Sequence, residues 1–470
     1  MSLGATDVAV VGGGIAGLSA AHALRKAGVP FLVLESSPRF GGVIRSDRDS
    51  GYLLEGGPDS LLAQKPEGIG LVRELGLGDR LVPTNPQLRA VFVLHRGRLE
   101  PLPEGMMLAI PSRVLPFLRS GLFSWPGKLR MGLDLVRPRR REDGDESIAS
   151  FLRRRFGQEA VDRLGEPLLA GIHAGDPERL SIRATFPRFV DLEARHGSLI
   201  RGIWSAPRPT SGAPPPAFYS LTGGLQEIVA ALVARLPAAS LSPESPVRSL
   251  ARGATGFVLE VEGRGALAAR AVVLAAPAPS LAPLLEPLDA EAARTLAAIP
   301  FASTATVLLG YRREQVAHPL DGYGLVVPRT EGLRTAACSF FSTKFPGRAP
   351  EGHVLLRAFL GGTRDPGALD LDDAALALTV EREMGPVLGL RGEPALVRVY
   401  RWPLGTPQME VGHLERMRAL EERIARLPGL FLTGAGIRVT GIPDVVADGL
   451  AAGGAAAVYV GSPPGHVSAR

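Results

Sequence analysis

Val8-Ala-Val-Val-Gly12-Gly-Gly14-Ile15-Ala16-Gly17-Leu-Ser-Ala-Ala-His-Ala-Leu-Arg-Lys-Ala27 is the stretch whose reading decides the fold. Asp7 to Val11 is a short apolar run of the kind that forms a buried parallel strand. Ile15 to Ala27 carries apolar residues at helical spacing, and Phe31 to Leu34 reads as a second strand, so the three make one βαβ unit. The three glycines serve different ends. Gly12 permits the tight turn, Gly14 lets backbone approach a pyrophosphate, and Gly17 lets helix and strand pack closely. The helix opening at Ile15 and Ala16 then offers unpaired N–H groups and a partial positive charge to phosphates. Glu35, 18 residues beyond Gly17 at the end of the second strand, sits where a carboxylate binds ribose hydroxyls.

Outward from that unit, the chain of 470 residues, 45% hydrophobic and 21% charged, is long enough for two or three domains. Its net charge of +6 is concentrated in one place. Between Glu104 and Arg141, eight cations (Arg113, Arg119, Lys128, Arg130, Arg137, Arg139, Arg140, Arg141) face two acids (Glu104, Asp134), a local +6 that leaves the rest near neutral. Such a block points to an anionic membrane or to nucleic acid, and nucleic acid is the weaker reading because no binding motif accompanies it. Cys338 stands alone, which excludes an internal disulfide and a cysteine-rich metal site and suits a reducing compartment. The first strand follows Met1 so closely that no signal peptide is expected, and no run reaches the ~18 apolar residues of a spanning helix. The expected location is therefore the cytoplasm, with peripheral contact on the inner face of the cell membrane.

Ser147 to Leu180 reads as helices with Ser147 as an N-cap, and Ala206 to Ala217 as a Pro/Ser-rich linker. Phe257 to Val261 alternates like a strand, a Gly-Arg-Gly turn follows, and Ala271 to Ala275 is a buried strand. Phe301 to Gly310, Gly324 to Val327, Thr335 to Phe341 and Val354 to Leu360 suggest an antiparallel sheet of another domain, and Leu430 to Thr433 with Gly449 to Val460 a closing strand and small-residue helix.

Arg39-Phe-Gly41-Gly42 after the second strand, and Glu55-Gly-Gly57-Pro58-Asp59-Ser60, resemble the glycine-rich flavin domain shared by amine oxidases, carotenoid desaturases and protoporphyrinogen oxidases. That resemblance implies FAD rather than NAD, with cofactor contacts at Ser36, Arg39, Gly41, Gly42, Gly57, Pro58, Asp59 and Ser60. Ser245-Pro-Val247 is similar to the segment whose valine backbone meets the adenine edge. Leu221-Thr-Gly-Gly224-Leu-Gln-Glu-Ile228 resembles the family's helix start, with a plain helix cap as the alternative. Thr433-Gly434-Ala-Gly436 through Ile442-Pro443-Asp444-Val445 resembles the C-terminal flavin motif, where a helix N-terminus faces the pyrimidine end of the isoalloxazine.

Glu166-Pro-Leu-Leu-Ala-Gly171-Ile-His173-Ala-Gly175-Asp, Leu180 to Pro187, Gly322 to Pro328, Ala358 to Gly362 and Gly441 to Gly449 resemble the protoporphyrinogen IX oxidase family over nearly the whole chain. The implied reaction converts protoporphyrinogen IX to protoporphyrin IX with molecular oxygen as acceptor, within haem biosynthesis. The resemblance implies that Gly171 admits the planar tetrapyrrole, that Val326 and Phe359 pack on its faces, and that Trp402 stands beside the flavin. Strand core is the alternative for Val326 and Phe359, and an aromatic core for Trp402. His173 is equally readable as pocket-facing or structural, and Arg89, Arg96 and Arg98 are candidates to pair a propionate. No catalytic side chain and no metal site is expected, since hydride transfer belongs to the cofactor.

The expected fold class is α/β: a Rossmann-like FAD-binding domain (5–80, 206–290, 426–465), an α+β substrate domain (81–103, 291–425), and a mostly helical membrane-binding insertion (104–205). Met106 to Arg141 would lie on an anionic membrane surface. A homodimer and hand-off to a downstream haem-pathway enzyme stay open, as do an amine oxidase, a carotenoid desaturase or a non-catalytic flavin carrier.

Overall fold

The computed structural model describes residues 4–107, 109–140, 144–205 and 216–461. Leu108, the Arg141 end of the basic stretch, most of the expected linker at 206–217 and the end of the segment 426–465 lie outside the described residues.

Strand β1 (Gly4–Val11), helix α1 (Ile15–Lys26) and strand β2 (Phe31–Leu34) form the βαβ unit that the glycine turn implies. The sheet runs Leu241–Ser242, β2, β1, Gly265–Leu274, and these four are parallel. Leu430–Leu432 pairs parallel with the C-terminal half of Gly265–Leu274, while Gly256–Val261 and Val247–Gly253 continue antiparallel from its other half. The strand expected at 271–275 is thus the end of a longer one. Period two along β1 divides the core: Val8 and Val10 face α1, Gln226–Arg235 and the C-terminal helix, and Ala9 and Val11 face Ala278–Leu285 and Ala290–Ala297 on the other side.

The C-terminal helix spans Ile442–Gly461, starting earlier than the small-residue pattern suggested. It lies so close to α1 that a Cβ on Gly449 would sit 2.4 Å from the Ala16 carbonyl oxygen, and one on Gly453 2.3 Å from that of Ala20. Those glycines therefore set the helix–helix distance, and through it the height of α1 over the sheet.

The second sheet runs Leu396–Pro407, Phe301–Arg312, His353–Gly361, Ala337–Phe340, Gly322–Val326, Ala90–His95, Arg98–Pro101. It is mixed rather than wholly antiparallel, because Gly322–Val326 pairs parallel with Ala90–His95. The reason is topological: the earlier hairpin enters from the flavin side and docks on a strand about 230 residues later in the chain, a partner no local pattern specifies. Leu81–Pro83 does not join it and pairs instead with Phe218–Leu221.

Helices cover one face of this sheet. Ile148–Phe156 is capped by Ser147, whose side chain accepts from Ser150 N, and Glu166–His173 follows a π-helical turn at Val161–Gly165. The basic stretch is not wholly helical: Met106–Met107 and Ile110–Pro111 form a short ribbon before the helices Val114–Arg119 and Trp125–Gly132.

Candidate cofactor and substrate site

The nucleotide end is built by backbone. Gly12 has φ +109°, and a Cβ there would lie 2.9 Å from the Ala275–Ala276 peptide. A Cβ on Gly17 would lie 1.9 Å from the Gly12 carbonyl oxygen, so the turn and α1 touch with no side chain between them. At Gly14 an added Cβ would meet no atom within 4 Å, which leaves open room on the side a pyrophosphate would occupy. Gly14 is the N-cap of α1, no side chain caps it and no acid stands in the first turn, so the N–H groups at Ile15, Ala16 and Gly17 keep their donors and positive dipole for an anion.

The Arg39–Gly42 segment lies along this turn. Gly41 N donates to Gly13 O at 2.8 Å, and a Cβ on Gly42, where φ is +58°, would stand 3.4 Å from the Gly14 Cα. Arg39 bonds the carbonyls of Ile44 and Gly42, which folds its own loop. Glu35 accepts from Gly13 N at 2.7 Å and Ser37 N at 2.8 Å, with Ser36 exposed beside it. Ser245 N donates to Glu35 O and Glu244 N to Ser37 O, and these bonds bring Val247 to the same edge as Glu35. The first part of the chain, the 241–247 loop and the α1 terminus therefore converge as the sequence implied.

At the other end, Gly434 has φ +126° and its turn is held by Asp448, which accepts from Thr433 Oγ1 at 2.6 Å and Gly434 N at 3.3 Å. Ile442, Pro443, Asp444 and Val445 open the C-terminal helix, and Asp444 forms an ion pair with Lys65. The uncapped α1 N-terminus with the Glu35 edge, and the helix opening at Ile442, are the groups that would hold FAD.

The Gly57–Ser60 segment meets the second sheet. Trp402 Nε1 donates to the Gly56 carbonyl at 2.9 Å, and its half-buried ring also packs on the core cluster around Leu54 and Tyr400. The Asp59 carboxylate is held by Lys344 at 3.0 Å and Arg357 at 3.2 Å. Burial pushes its pKa upward, but these two cations outweigh burial and hold the carboxyl well below the usual range. Asp59 thus anchors the segment by its side chain, and its backbone carbonyl accepts from Ser220 Oγ at 2.8 Å.

Glu55 serves elsewhere. It accepts from Leu225 N at 2.9 Å and from Ser46 Oγ at 2.7 Å, while Ser46 Oγ accepts from Gln226 N, so the pair caps the helix Gln226–Arg235. A Cβ on Gly224 would strike Ser46 Oγ at 2.4 Å, which explains the Gly223–Gly224 pair. Burial pushes Glu55 up to about 7, against the pull of Ser46, Leu225 and Arg348. Because its folded-state pKa lies above the unfolded value, its stabilising proton is present at low pH and is lost as pH rises towards 7. The wild-type chain is expected to lose ~3 kcal/mol of stability between about pH 4.5 and 7 relative to Glu55→Gln. Thermal midpoints of the two across that range, parallel rather than diverging, would refute this.

Across the second sheet, Val326 pairs with Ala337, Ala337 with Phe359, Phe359 with Thr306 and Thr306 with Tyr400, making one transverse row. Gly171 on Glu166–His173 packs over it, with a Cβ 3.3 Å from Ala337 Cβ and 3.8 Å from Val326 Cγ1. The structure therefore brings Gly171, Val326 and Phe359 together; Val326 is buried against the helices, and Phe359 keeps part of its ring open. His173 sits edge-on to Phe186 at 5.9 Å, and burial, then Lys65, push it down to about 4, so it is neutral near pH 7. Arg96 lies on an exposed hairpin turn and the exposed Arg98 opens the strand after it, whereas Arg89 directly precedes the strand Ala90–His95 with its Nε on the Pro86 carbonyl. Lys344, Arg357 and Lys65 carry no local sequence signal, since the acids and carbonyls they bond on the cofactor side lie several hundred residues away in the chain.

These features are those of a flavin-dependent oxidoreductase with a partly apolar wall beside the cofactor segment. The chain belongs to the flavin containing amine oxidoreductase family, whose model matches residues 15–460. It is 36% identical over 472 residues to the coproporphyrinogen III oxidase of Bacillus subtilis (strain 168), covering 98% of this chain and 100% of that protein. It is 32% identical to the chloroplastic protoporphyrinogen oxidase of Nicotiana tabacum, covering 91% and 81%. A crystal structure named for a protoporphyrinogen oxidase of Exiguobacterium sp. 255-15 superposes with TM-score 0.87 at 32% identity, covering 97% and 99%. A putrescine oxidase variant superposes with TM-score 0.72 at 18% identity, a likeness of fold alone.

Proposed function

We propose that the chain oxidises a porphyrinogen to its porphyrin, with coproporphyrinogen III as the preferred substrate. The observation that carries this reading is the 36% likeness to a coproporphyrinogen III oxidase along the full length of both chains, substrate sheet and helices included. Protoporphyrinogen IX is the second reading, supported by the chloroplastic relative at 32% identity. Bound FAD supplies the acceptor for hydride leaving the macrocycle. The chain's own residues seat the macrocycle against the open part of the Phe359 ring, with Gly171 bordering the same wall, and keep water from the exchange. Six electrons and six protons leave the porphyrinogen, and three O2 become three H2O2.

Anaerobic mixing with each porphyrinogen tests the reading. Coproporphyrinogen III is expected to bleach the yellow flavin band with kcat/KM ~10-fold above protoporphyrinogen IX, and oxygen to restore colour with peroxide release. A reversed preference favours the second reading. An unchanged band with both rejects the proposal.

The proposal includes peripheral membrane contact. Trp125, Leu129 and Val136 are 65%, 73% and 73% exposed on the helix Trp125–Gly132 and the turn beyond it, in a stretch that also carries the exposed Arg119, Arg137 and Arg139. Apolar tips among cations suit an anionic bilayer, at ~1 kcal/mol for each basic residue near the surface. Vesicles of phosphatidylglycerol are expected to co-sediment the protein and phosphatidylcholine vesicles not to, with Leu129→Glu and high salt each releasing it. Equal recovery on both vesicles counts against membrane contact.

A further inference from the structure

We propose that Arg357 is a positioning residue that locks the cofactor segment and the substrate wall at one separation. The inference rests on the flavin-dependent reading of the site and goes beyond it.

Three consecutive backbone carbonyls of the segment Glu55–Gly57 are each bonded by a side chain of the second sheet. Arg357 Nε donates to Glu55 O at 2.9 Å, Trp402 Nε1 to Gly56 O at 2.9 Å, and Arg357 Nη2 to Gly57 O. The remaining Arg357 nitrogen, Nη1, reaches Asp59 at 3.2 Å, so all three guanidinium nitrogens bond the same stretch of five residues. The segment cannot retreat on its other side, because a Cβ on Gly57 would already lie 1.8 Å from the Val43 carbonyl oxygen. The same guanidinium stacks over Phe359, with Cζ 4.6 Å from the ring centroid. One planar group therefore touches the cofactor-side backbone along its edge and the substrate-side ring on its face.

This is an expensive arrangement for stability alone. Arg357 is 4% exposed, and burial lowers its pKa even with Asp59 and Glu55 nearby. A buried ion pair of this kind is on average no better for stability than apolar packing. What a planar fork adds is direction: Nε and the two Nη donors fix distance and angle together, which an ammonium does not. The pyrophosphate cradle at Gly12–Gly17 and the Glu35 edge are built from other elements and do not depend on Arg357. Loss of the residue should therefore loosen the reacting end while the nucleotide end still binds.

The test compares the holoenzyme with Arg357→Met and Arg357→Lys. Arg357→Met is expected to keep FAD content, to shift the visible circular-dichroism band of the flavin, and to slow flavin reduction at saturating coproporphyrinogen III by ~100-fold, with KM changed less than ~3-fold. Arg357→Lys is expected to keep the FAD content but not to restore the rate. An unchanged reduction rate per bound flavin in Arg357→Met overturns the proposal, as does a loss of FAD proportional to the loss of rate in both arginine variants. Should neither porphyrinogen reduce the wild type, the functional reading fails on its own, and the dichroism comparison, which uses no substrate, still decides the positioning role.

Discussion

Gly17→Val is expected to purify without colour and to lose porphyrinogen oxidation by ~100-fold or more. The new Cβ would lie 1.9 Å from Gly12 O and 3.1 Å from Gly12 C, both backbone atoms. No rotamer relieves a clash with backbone, so the turn must open or α1 must lift. The turn is held by Gly12 N to Leu34 O at 2.8 Å, Gly41 N to Gly13 O at 2.8 Å and Gly13 N to Glu35 at 2.7 Å, so moving it also moves the flanking cofactor loops. α1 cannot lift freely either, because the Gly449 and Gly453 backbone presses on it. Overpacking of this kind costs ~1–3 kcal/mol, and the displaced helix N-terminus no longer meets the phosphates. Gly14→Ala is the informative contrast. Its Cβ meets no protein atom within 4 Å, so the thermal midpoint without cofactor should match wild type while FAD affinity falls. Flavin absorbance per protein checks both, and a yellow, active Gly17→Val would show that close strand–helix approach is not required.

Asp134→Leu is expected to destabilise the helical region by ~3–5 kcal/mol. Asp134 and Arg155 are both 0% exposed and form an ion pair at 2.5 Å. Asp134 also accepts from Ser198 Oγ at 2.6 Å and Ile200 N at 3.0 Å. Removing it takes the carboxylate from a buried guanidinium and leaves Ile200 N, in the first turn of the helix Leu199–Trp204, without its acceptor. Arg155 would keep the carbonyls of Arg137, Pro138 and Gly197 and a longer contact to Glu193 at 3.4 Å, which satisfy hydrogen bonds but leave only one acid for the charge. The double variant Asp134→Leu/Arg155→Met, which removes both charges, is expected to recover most of the loss. Thermal unfolding and limited proteolysis of the region read the effect, and a double variant no more stable than the single would show that packing rather than the stranded charge was at fault.

The cofactor half of the site was legible because it is made of local backbone. Gly12, Gly14 and Gly17 act through the residues beside them, and Glu35 follows within one βαβ unit, so spacing alone conveys their geometry. Gly434 and Asp444 could be placed only by resemblance to a family, since what makes them a site is the approach of a helix N-terminus to a strand end far away in the chain. The substrate wall was legible as residues but not as an arrangement: Gly171, Val326 and Phe359 were named, and the parallel docking of Ala90–His95 on Gly322–Val326 that completes the sheet was not. Asp59 was read as a cofactor contact, and its carboxylate proved to belong to Lys344 and Arg357.

By itself, then, the amino-acid order determined the nucleotide-binding turn, the class of cofactor and the wording of the porphyrinogen-oxidase family, because these depend on neighbours within a few tens of residues. Only the tertiary structure decided which cations anchor the cofactor segment, that Glu55 caps a helix, and which carbonyls of Glu55–Gly57 the second sheet holds. Those are properties of contacts such as Arg357 to Glu55, about 300 residues apart along the chain, and no local periodicity records which distant partner a side chain will meet once two sheets close on each other.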